Sequence, residues 1–190
     1  MIFKTQKYQV IKNAISYELA NFIYNYFLLK REAVSFMYIK NAVYDTGMLG
    51  TWSDPQVPNT YSNYADFAME TLLMKVLPKM QKETGLQLVP TYSYADILKK
   101  HKDRPSCEIS TTLNLGGDPW SIFIEGTEIK LSVGDMLVYS GCDLEHWRER
   151  FEGNICAQVF LHYNHLNGKF SDKNKFDGRP ILGLPKWNFD

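Results

Sequence analysis

The spacing of apolar residues changes once along the 190-residue chain, near residue 86, and this change limits the fold more than any other feature. Before that point apolar residues recur at helical spacing, whereas after it short β-branched and aromatic runs alternate with glycines. One chain of this length with both patterns favours a single α+β domain. We predict a helical support layer at residues 1–85, a β core at residues 86–167 and an irregular tail at residues 168–190.

Two long helices are predicted in the first part of the chain. The first covers about residues 16–34, where Ser16 can cap it, and the second covers about residues 64–84, where Gly85 can end it. Each has a stripe of apolar residues that can be buried against a core. Pro78 lies inside the second helix and is expected to kink or divide it, because proline has no amide hydrogen to donate.

The β core is predicted from short runs of β-branched and aromatic residues that are separated by glycine turns. Many short strands are typical of a double-stranded β-helix, or jelly roll, on which the helices pack against one sheet. Residues 45–60 contain two glycines and two prolines and are expected to form a loop, and Trp187 and Phe189 can dock the tail onto the body. The predicted strands are Leu86–Tyr94, Cys107–Leu115, Ser121–Ile124, Ile129–Leu131, Met136–Tyr139 and Ile155–Tyr163.

Composition disfavours several classes of protein. Basic and acidic residues number 21 each, so the net charge gives no reason to expect a nucleic-acid or anionic-membrane partner. No apolar run reaches the roughly 18 residues that a membrane span needs, and residues 1–13 lack the apolar core of a signal peptide. The three cysteines have irregular spacing and do not indicate a disulfide framework. We therefore predict a cytoplasmic protein with reduced thiols.

The most specific chemical signal is a set of two histidines and one aspartate. His101 and Asp103 form an H-x-D pair, and on an extended segment residues two apart point to the same side. His146 follows a glycine-bounded apolar strand, which predicts a position at the mouth of a barrel. Two histidines and one carboxylate form the facial triad of non-haem iron(II) oxygenases, which leaves coordination positions open. H-x-D by itself is a weak signal, and an exposed pair in a lysine-rich stretch is the alternative.

The order of these motifs resembles that of the iron(II)/2-oxoglutarate-dependent dioxygenases, in the prolyl-4-hydroxylase-like branch, over about residues 86–164. The strings HKDRPSCEIST, GDMLVYSGCDLEHWRERFEG and QVFLHY are similar to those of an uncharacterised bacterial and viral subgroup. The resemblance implies that His101, Asp103 and His146 bind iron(II). It also implies 2-oxoglutarate as cosubstrate, ascorbate as a candidate reductant, and oxidation of 2-oxoglutarate to succinate and CO₂ coupled to hydroxylation of a C–H bond.

The chain departs from this family at the residue that binds the distal carboxylate of 2-oxoglutarate. The family usually has a lysine or arginine about ten residues after the second histidine, where this sequence has Cys156. A buried carboxylate needs a cation, and the first candidate is Arg148, with Arg104 as the second. Tyr92 resembles a tyrosine that donates to the cosubstrate, and Gln158 lies on the expected inward face of the last strand. Each can instead be a turn, core or backbone-binding residue.

The predicted function is that of an iron(II)- and 2-oxoglutarate-dependent hydroxylase acting on a small-molecule or peptide substrate. A non-catalytic or cupin-like metal-binding jelly roll that does not use 2-oxoglutarate is the alternative, and the missing basic residue on the last strand favours it. A peptidyl proline, a free amino acid, a nucleobase and a small metabolite all stay open as substrates. The sequence does not indicate an oligomeric state.

Overall fold

The computed structural model describes residues 2–52, 60–95 and 101–185. Its α-helices are α1 (Ile2–Gln6), α2 (Tyr17–Ile39), α3 (Thr46–Leu49), α4 (Phe67–Thr84) and α5 (Ser171–Asn174). Its strands are β1 (Tyr8–Ile11), β2 (Asn63–Tyr64), β3 (Leu88–Ala95), β4 (Ile109–Gly117), β5 (Ile122–Ile124), β6 (Thr127–Ile129), β7 (Met136–Ser140), β8 (His146–Trp147) and β9 (Cys156–His165). Short 3₁₀ helices occupy Pro105–Cys107 and Lys175–Gly178.

The strands of the described residues form two antiparallel sheets. The larger sheet has the order β1-β7-β4-β9-β3-β2, and the smaller one has the order β6-β5-β8. In the larger sheet the central strands are β4 and β9, which pair from Ile109 opposite Tyr163 to Gly117 opposite Cys156. The prediction of a mixed helix and sheet protein with antiparallel sheets is confirmed.

Side-chain caps set the starts of the two long helices. Ser16 precedes α2, and its hydroxyl accepts a hydrogen bond from the amide of Leu19 at 3.3 Å, as the sequence predicts. The helix continues five residues beyond the predicted end, to Ile39. The second helix, α4, begins three residues later than predicted, because Asp66 accepts hydrogen bonds from the first free amides of Phe67–Thr84.

Pro78 does not divide α4; division is one of the two outcomes predicted for it, and the other, a kink, stays a prediction. The helix is continuous from Phe67 to Thr84, and Pro78 lies on its exposed side. The carbonyl of Met74, which loses its usual donor to the proline, belongs to a residue that is also exposed, so water can satisfy it. Gly85 ends the helix in the left-handed conformation, with φ of 72°, as predicted.

The larger sheet has two differently buried faces, since successive side chains of a strand point to opposite sides. One face packs against the long helices, and the other faces the smaller sheet. The first core includes Leu72, Leu73, Val76, Leu113, Val138, Val159, Leu161 and Tyr163. The second consists of Ile122, Ile124, Ile129, Leu137 and Tyr139. The larger sheet, which carries Ser110 and His162 beside the candidate ligand Asp103, is therefore supported from behind by helices.

Three short strands are absent from the sequence-based prediction. β1 and β2 lie at the two edges of the larger sheet, so residues 1–85 contribute strands as well as helices. The third, β8, pairs with β5 and contains His146. β6 covers Thr127–Ile129 rather than the predicted Ile129–Leu131, because the chain turns back immediately after β5. Trp187, Phe189 and part of the 45–60 loop lie outside the described residues.

The described part of the tail is fixed to the body by a buried ion pair. Arg179 binds Glu70 of α4 through both terminal nitrogens, at 2.6 and 3.1 Å, and both side chains are 2% exposed. The same guanidinium donates to the carbonyls of Phe176, Leu184 and Thr91. None of the helices in the described ranges has the length and apolar character needed to cross a membrane.

We expect Glu70→Ala to destabilise the protein by about 3–5 kcal/mol, because it leaves the Arg179 charge buried without a counter-ion. The matched control is Glu128→Ala, which breaks the exposed pair with Lys130 at 3.4 Å and is expected to cost no more than about 1 kcal/mol. Urea unfolding at neutral pH measures both free energies. Equal losses in the two variants would contradict a special contribution from the buried pair.

Candidate metal centre

Main-chain hydrogen bonds bring the predicted ligand set together. His101 and His146 form an isolated antiparallel bridge, with amide-to-carbonyl distances of 3.1 Å in both directions. The amide of Asp103 donates to the carbonyl of Gly141 at 2.9 Å, in the turn after β7. Two segments that are far apart in sequence are thereby held at the distance that adjacent strands have.

The three side chains point their donor atoms at a common position. One donor atom from each of His101, Asp103 and His146 lies within 4.8 Å of the other two. Nε2 of His101 is 3.4 Å from Oδ1 of Asp103, and Nε2 of His146 is 3.6 Å from the same oxygen. The structure therefore brings together the three residues that the sequence selected.

The environment of His146 leaves its Nε2 available to bind a metal ion. The side chain is fully buried, and its Nδ1 lies 3.1 Å from the carbonyl oxygen of Leu144, which can only accept a hydrogen bond. Nδ1 is therefore the ring nitrogen that donates, so that a neutral ring, the form that binds a metal, would have its lone pair on Nε2. Within the described residues Nε2 has no hydrogen-bond partner. A buried, unpartnered lone pair beside a carboxylate is what a bound metal ion would satisfy.

Asp103 is held in its ionised form. Burial raises its pKa, but the imidazoles of His101, His146 and His162 outweigh burial and hold the pKa well below the ordinary value. The hydroxyl of Ser110 donates to its Oδ2 at 2.6 Å, which leaves Oδ1 directed at the two histidines. A donor set of two imidazoles and one carboxylate fits a divalent iron ion, which binds imidazole in its neutral form.

Gly141 is required by close packing around Asp103. A Cβ atom at this position would overlap the carboxylate of Asp103 and the carbonyl of Cys107. This glycine is a positioning residue that sequence reasoning missed. The only signal for it in the sequence is its place in the turn between the strand and His146.

A cavity of about 490 Å³ is lined by two of the three candidate ligands, His101 and Asp103. Tyr92 and Arg104, two of the predicted cosubstrate residues, line it, and the Arg104 guanidinium lies 4.8 Å from the centre of the Tyr92 ring. Arg104 is also paired with Asp177 at 3.2 Å, and the Tyr92 hydroxyl lies 2.9 Å from Sγ of Cys107. The remaining lining residues are Tyr64, Tyr94, His101, Lys102, Asp103, Cys107, Tyr139, Phe160 and His162.

The other two predicted cosubstrate residues, Arg148 and Gln158, bind each other. Nη2 of Arg148 donates to Oε1 of Gln158, and Nη1 donates to the carbonyl of Trp120 at 2.5 Å. Gln158 lines a second cavity, near α2, and Arg148 lines neither. Arg148 is buried in the interior, as expected, since it is 6% exposed. Its side chain does not line the metal cavity.

Cys107 and His162 complete the surroundings of Asp103. One donor atom from each lies within 4.8 Å of the other and of Asp103, and Nδ1 of His162 is 2.9 Å from the Ser110 hydroxyl. The alternation of β9 predicts that His162 faces inward together with Phe160. No local pattern signals Cys107, because a 3₁₀ helix brings it into the site.

Sequence comparison identifies no relative, since no protein-family model and no curated protein matches the chain. Solved structures do match. A prolyl-4-hydroxylase from Pseudomonas putida has a TM-score of 0.55 at 12% identity, over 86% of this chain and 95% of that one. EctD from S. alaskensis, solved with 2-oxoglutarate and 5-hydroxyectoine, has a TM-score of 0.59 at 14% identity, over 97% and 81%. The 2-oxoglutarate-dependent epimerase SnoN from nogalamycin biosynthesis has a TM-score of 0.61 at 9% identity, over 98% and 93%.

These likenesses establish the fold. Several of these structural neighbours are described as 2-oxoglutarate-dependent enzymes or were solved with iron or 2-oxoglutarate bound, so the chain has the fold of proteins that the motifs resemble. Their identities of 9–14% leave the reaction and the substrate of this chain to be argued from its own residues.

The buried His162 predicts a measurable loss of stability in mild acid. Burial lowers its pKa to about 4, below the value of about 6.5 in an unfolded chain. Protonation therefore favours the unfolded state, so this penalty is absent above about pH 6.5 and grows as the pH falls toward 4. Between about pH 7.5 and about pH 5 the penalty from His162 amounts to about 2 kcal/mol.

Urea unfolding of the metal-free protein at these two pH values tests the assignment. His162→Gln is expected to reduce the acid-dependent loss by about 2 kcal/mol. His165→Gln, on the same strand but outside the ligand cluster, is expected to behave as the wild type does. If His162→Gln and the wild type lose equal stability, the buried imidazole is not the group that titrates.

Proposed function

We propose that the protein is an iron(II)- and 2-oxoglutarate-dependent oxygenase whose metal ligands are His101, Asp103 and His146. The observation that carries the proposal is the convergence of two imidazoles and one ionised carboxylate, of which His101 and Asp103 line a cavity, with the buried Nε2 of His146 unpartnered among the described residues. Three protein ligands leave room for a bidentate cosubstrate and oxygen. Iron would supply the oxidising chemistry there, with 2-oxoglutarate converted to succinate and CO₂.

The two sheets suit the proposed activity if they form a double-stranded β-helix within one domain. The inner face of the larger sheet and the smaller sheet enclose a core of their own, and the candidate ligands lie where the two sheets meet. His146 belongs to the smaller sheet through β8, whereas Ser110 and His162 are on the larger one. Support from both sheets would keep the donor atoms in place while the substrate binds.

We propose that Arg148 binds the distal carboxylate of 2-oxoglutarate, which requires its side chain to turn toward the metal cavity from the wall, where it lines neither cavity. It is two residues after His146 and 6% exposed, and no carboxylate of the described residues pairs with it. Burial lowers its pKa to about 10, which is the direction expected for a cation without a counter-ion. Its Nε has no hydrogen-bond partner among the described residues. An anion that displaced Gln158 or Trp120 from the guanidinium would supply the missing charge.

Arg104 is less suited to that task. It lines the metal cavity, but its guanidinium is already paired with Asp177 and stacked over Tyr92. A second carboxylate would have to compete with the first. We assign Arg104, Tyr64 and Tyr92 to the part of the cavity that would receive the prime substrate, whose C–H bond would be hydroxylated. Aromatic rings with a cation at the rim fit a small molecule or a peptide side chain.

The rival function is a metal-binding module that does not use 2-oxoglutarate. β9 from Cys156 to His165 contains no lysine or arginine, which is the observation that favours it. In that case Arg148 would be a structural cation whose charge is balanced by the Trp120 carbonyl, the Gln158 amide oxygen and the Trp120 ring at 4.9 Å.

Anaerobic titration with iron(II) and then 2-oxoglutarate separates the two functions. We expect a weak visible charge-transfer band, because chelation of iron by the cosubstrate needs the open positions of the triad. His146→Ala is expected to abolish both iron binding and the band, whereas His165→Ala, which changes a histidine outside the ligand set, is expected to keep them. Iron binding without the band in the wild type would favour the rival function.

Arginine variants test the assignment of the cosubstrate carboxylate. Arg148→Gln is expected to raise the half-saturating 2-oxoglutarate concentration at least about 30-fold, the effect of losing a charged hydrogen bond of about 2 kcal/mol. Iron affinity is expected to change little. Arg104→Gln is the matched variant and is expected to leave the 2-oxoglutarate requirement within about 3-fold of the wild type. The opposite ranking of the two variants would transfer the role to Arg104.

A further inference from the structure

The outer side of α2 has apolar side chains that the fold does not bury. Phe22 is 69% exposed, Leu29 is 70% exposed and Phe36 is 64% exposed, and we refer to these three residues as the outer row. The opposite side of α2 is buried in the core through Ala20, Ile23, Phe27 and Val34. A helix with one apolar side is expected at a protein surface, whereas a second, aligned apolar side indicates another contact.

The outer row has a symmetric spacing. Leu29 is at the centre, with Phe22 seven residues before it and Phe36 seven residues after it. Residues seven apart lie on one stripe of a helix, as in a coiled-coil seam. Glu18 and Lys40, both exposed, stand eleven residues before and after Leu29. Positions at equal distances before and after Leu29 therefore match: both carry phenylalanine at seven residues, and they carry opposite charges at eleven residues.

We propose that two copies of this protein form a two-fold symmetric dimer in which the outer rows of their α2 helices pack antiparallel. In this arrangement Leu29 meets its own counterpart on the two-fold axis. Phe22 of each copy lies opposite Phe36 of the other, and Glu18 lies opposite Lys40. A two-fold contact requires a surface that complements itself, and the outer row meets that condition. A parallel arrangement would place each charge against its like.

The size of the contact places the proposed dimer among weak, reversible interfaces. Phenylalanine side chains bury about 150–250 Å² each, so four rings that are about two-thirds exposed contribute roughly 400–650 Å². Leu29 and Ile39 of both copies bring the total toward roughly 1,000 Å², the lower limit for a specific interface. Asn25 and Glu32 are exposed beside the outer row and would form its polar rim.

The proposed contact is separate from the candidate metal centre. No residue of the outer row lines the metal cavity, and the buried side of α2 packs on the helix-facing side of the larger sheet. The dimer therefore does not rest on the proposed function. Failure of the dimer can therefore be told from failure of the oxygenase proposal, since a variant can lose dimerisation and still bind iron.

Sedimentation equilibrium of the full chain, from about 1 to about 100 µM, tests the contact. We expect the wild type to pass from monomer to dimer in this range. Leu29→Glu places two carboxylates together on the two-fold axis and is expected to be monomeric throughout. Ile181→Glu changes another exposed apolar residue, 58% exposed and distant in sequence from α2, and is expected to dimerise as the wild type does. A monomeric wild type, or a dimeric Leu29→Glu variant with native circular dichroism, would overturn the proposal.

Charge reversal tests the antiparallel orientation. Glu18→Lys places lysines opposite lysines in an antiparallel pair, and Lys40→Glu places glutamates opposite glutamates, so each variant is expected to dimerise at least about 5-fold more weakly than the wild type. An equimolar mixture of the two pairs opposite charges at both ends and is expected to recover wild-type affinity as a heterodimer. If the mixture stays as weak as its components, the helices do not pair antiparallel.

Discussion

The candidate metal centre depends on one backbone interaction, the pair of hydrogen bonds between His101 and His146. This bridge joins the segment before β4 to β8 of the smaller sheet, and it fixes two imidazoles at the distance that neighbouring strands impose. Asp103 is then positioned by a second main-chain bond, to Gly141. Because main-chain bonds set the positions, the donor atoms converge before any metal binds, and the cost of ordering the ligands is met during folding.

The buried charges near the cavity fall into two kinds. Asp103 is surrounded by imidazoles and the Ser110 hydroxyl, so its charge is compensated within the chain. Within the described residues, the contacts of the Arg148 guanidinium are with neutral groups, namely the Trp120 carbonyl, the Gln158 amide oxygen and the Trp120 ring. Burying a cation with neutral partners costs free energy that a carboxylate can return. The uncompensated charge of Arg148 therefore favours the binding of an anion. Arg148 is not on the last strand, where the dioxygenases that the chain resembles usually have a lysine or arginine.

Features that depend on residues close together in sequence could be predicted, whereas strand pairings between distant segments could be predicted only in part. The cap at Ser16, the stop at Gly85 and the inward face of β9 depend on neighbouring residues, and the sequence predicts them. The edge strands β1 and β2 are four and two residues long and exist because a partner strand lies beside them. Pairing partners have no local signature, so both strands were missed.

The same division between local and long-range information explains the candidate site. H-x-D spacing and a histidine after a glycine-bounded strand select the three candidate ligands, because each signal lies within a few residues. Cys107 and Gly141 matter only through contacts made in the folded protein: one packs against Tyr92, and the other leaves space for Asp103.

The long helix α2 shows that a helix in the support layer can have two apolar sides for different reasons. Its inner side is explained by the sheet on which it packs, but the sheet places no demand on Phe22, Leu29 or Phe36. Exposed aromatic residues add nothing to the stability of an isolated monomer and raise the risk of non-specific association. A row that is symmetric about one leucine, with opposite charges at its ends, restricts that association to one orientation. Specific self-pairing therefore accounts for the outer row better than incidental exposure does.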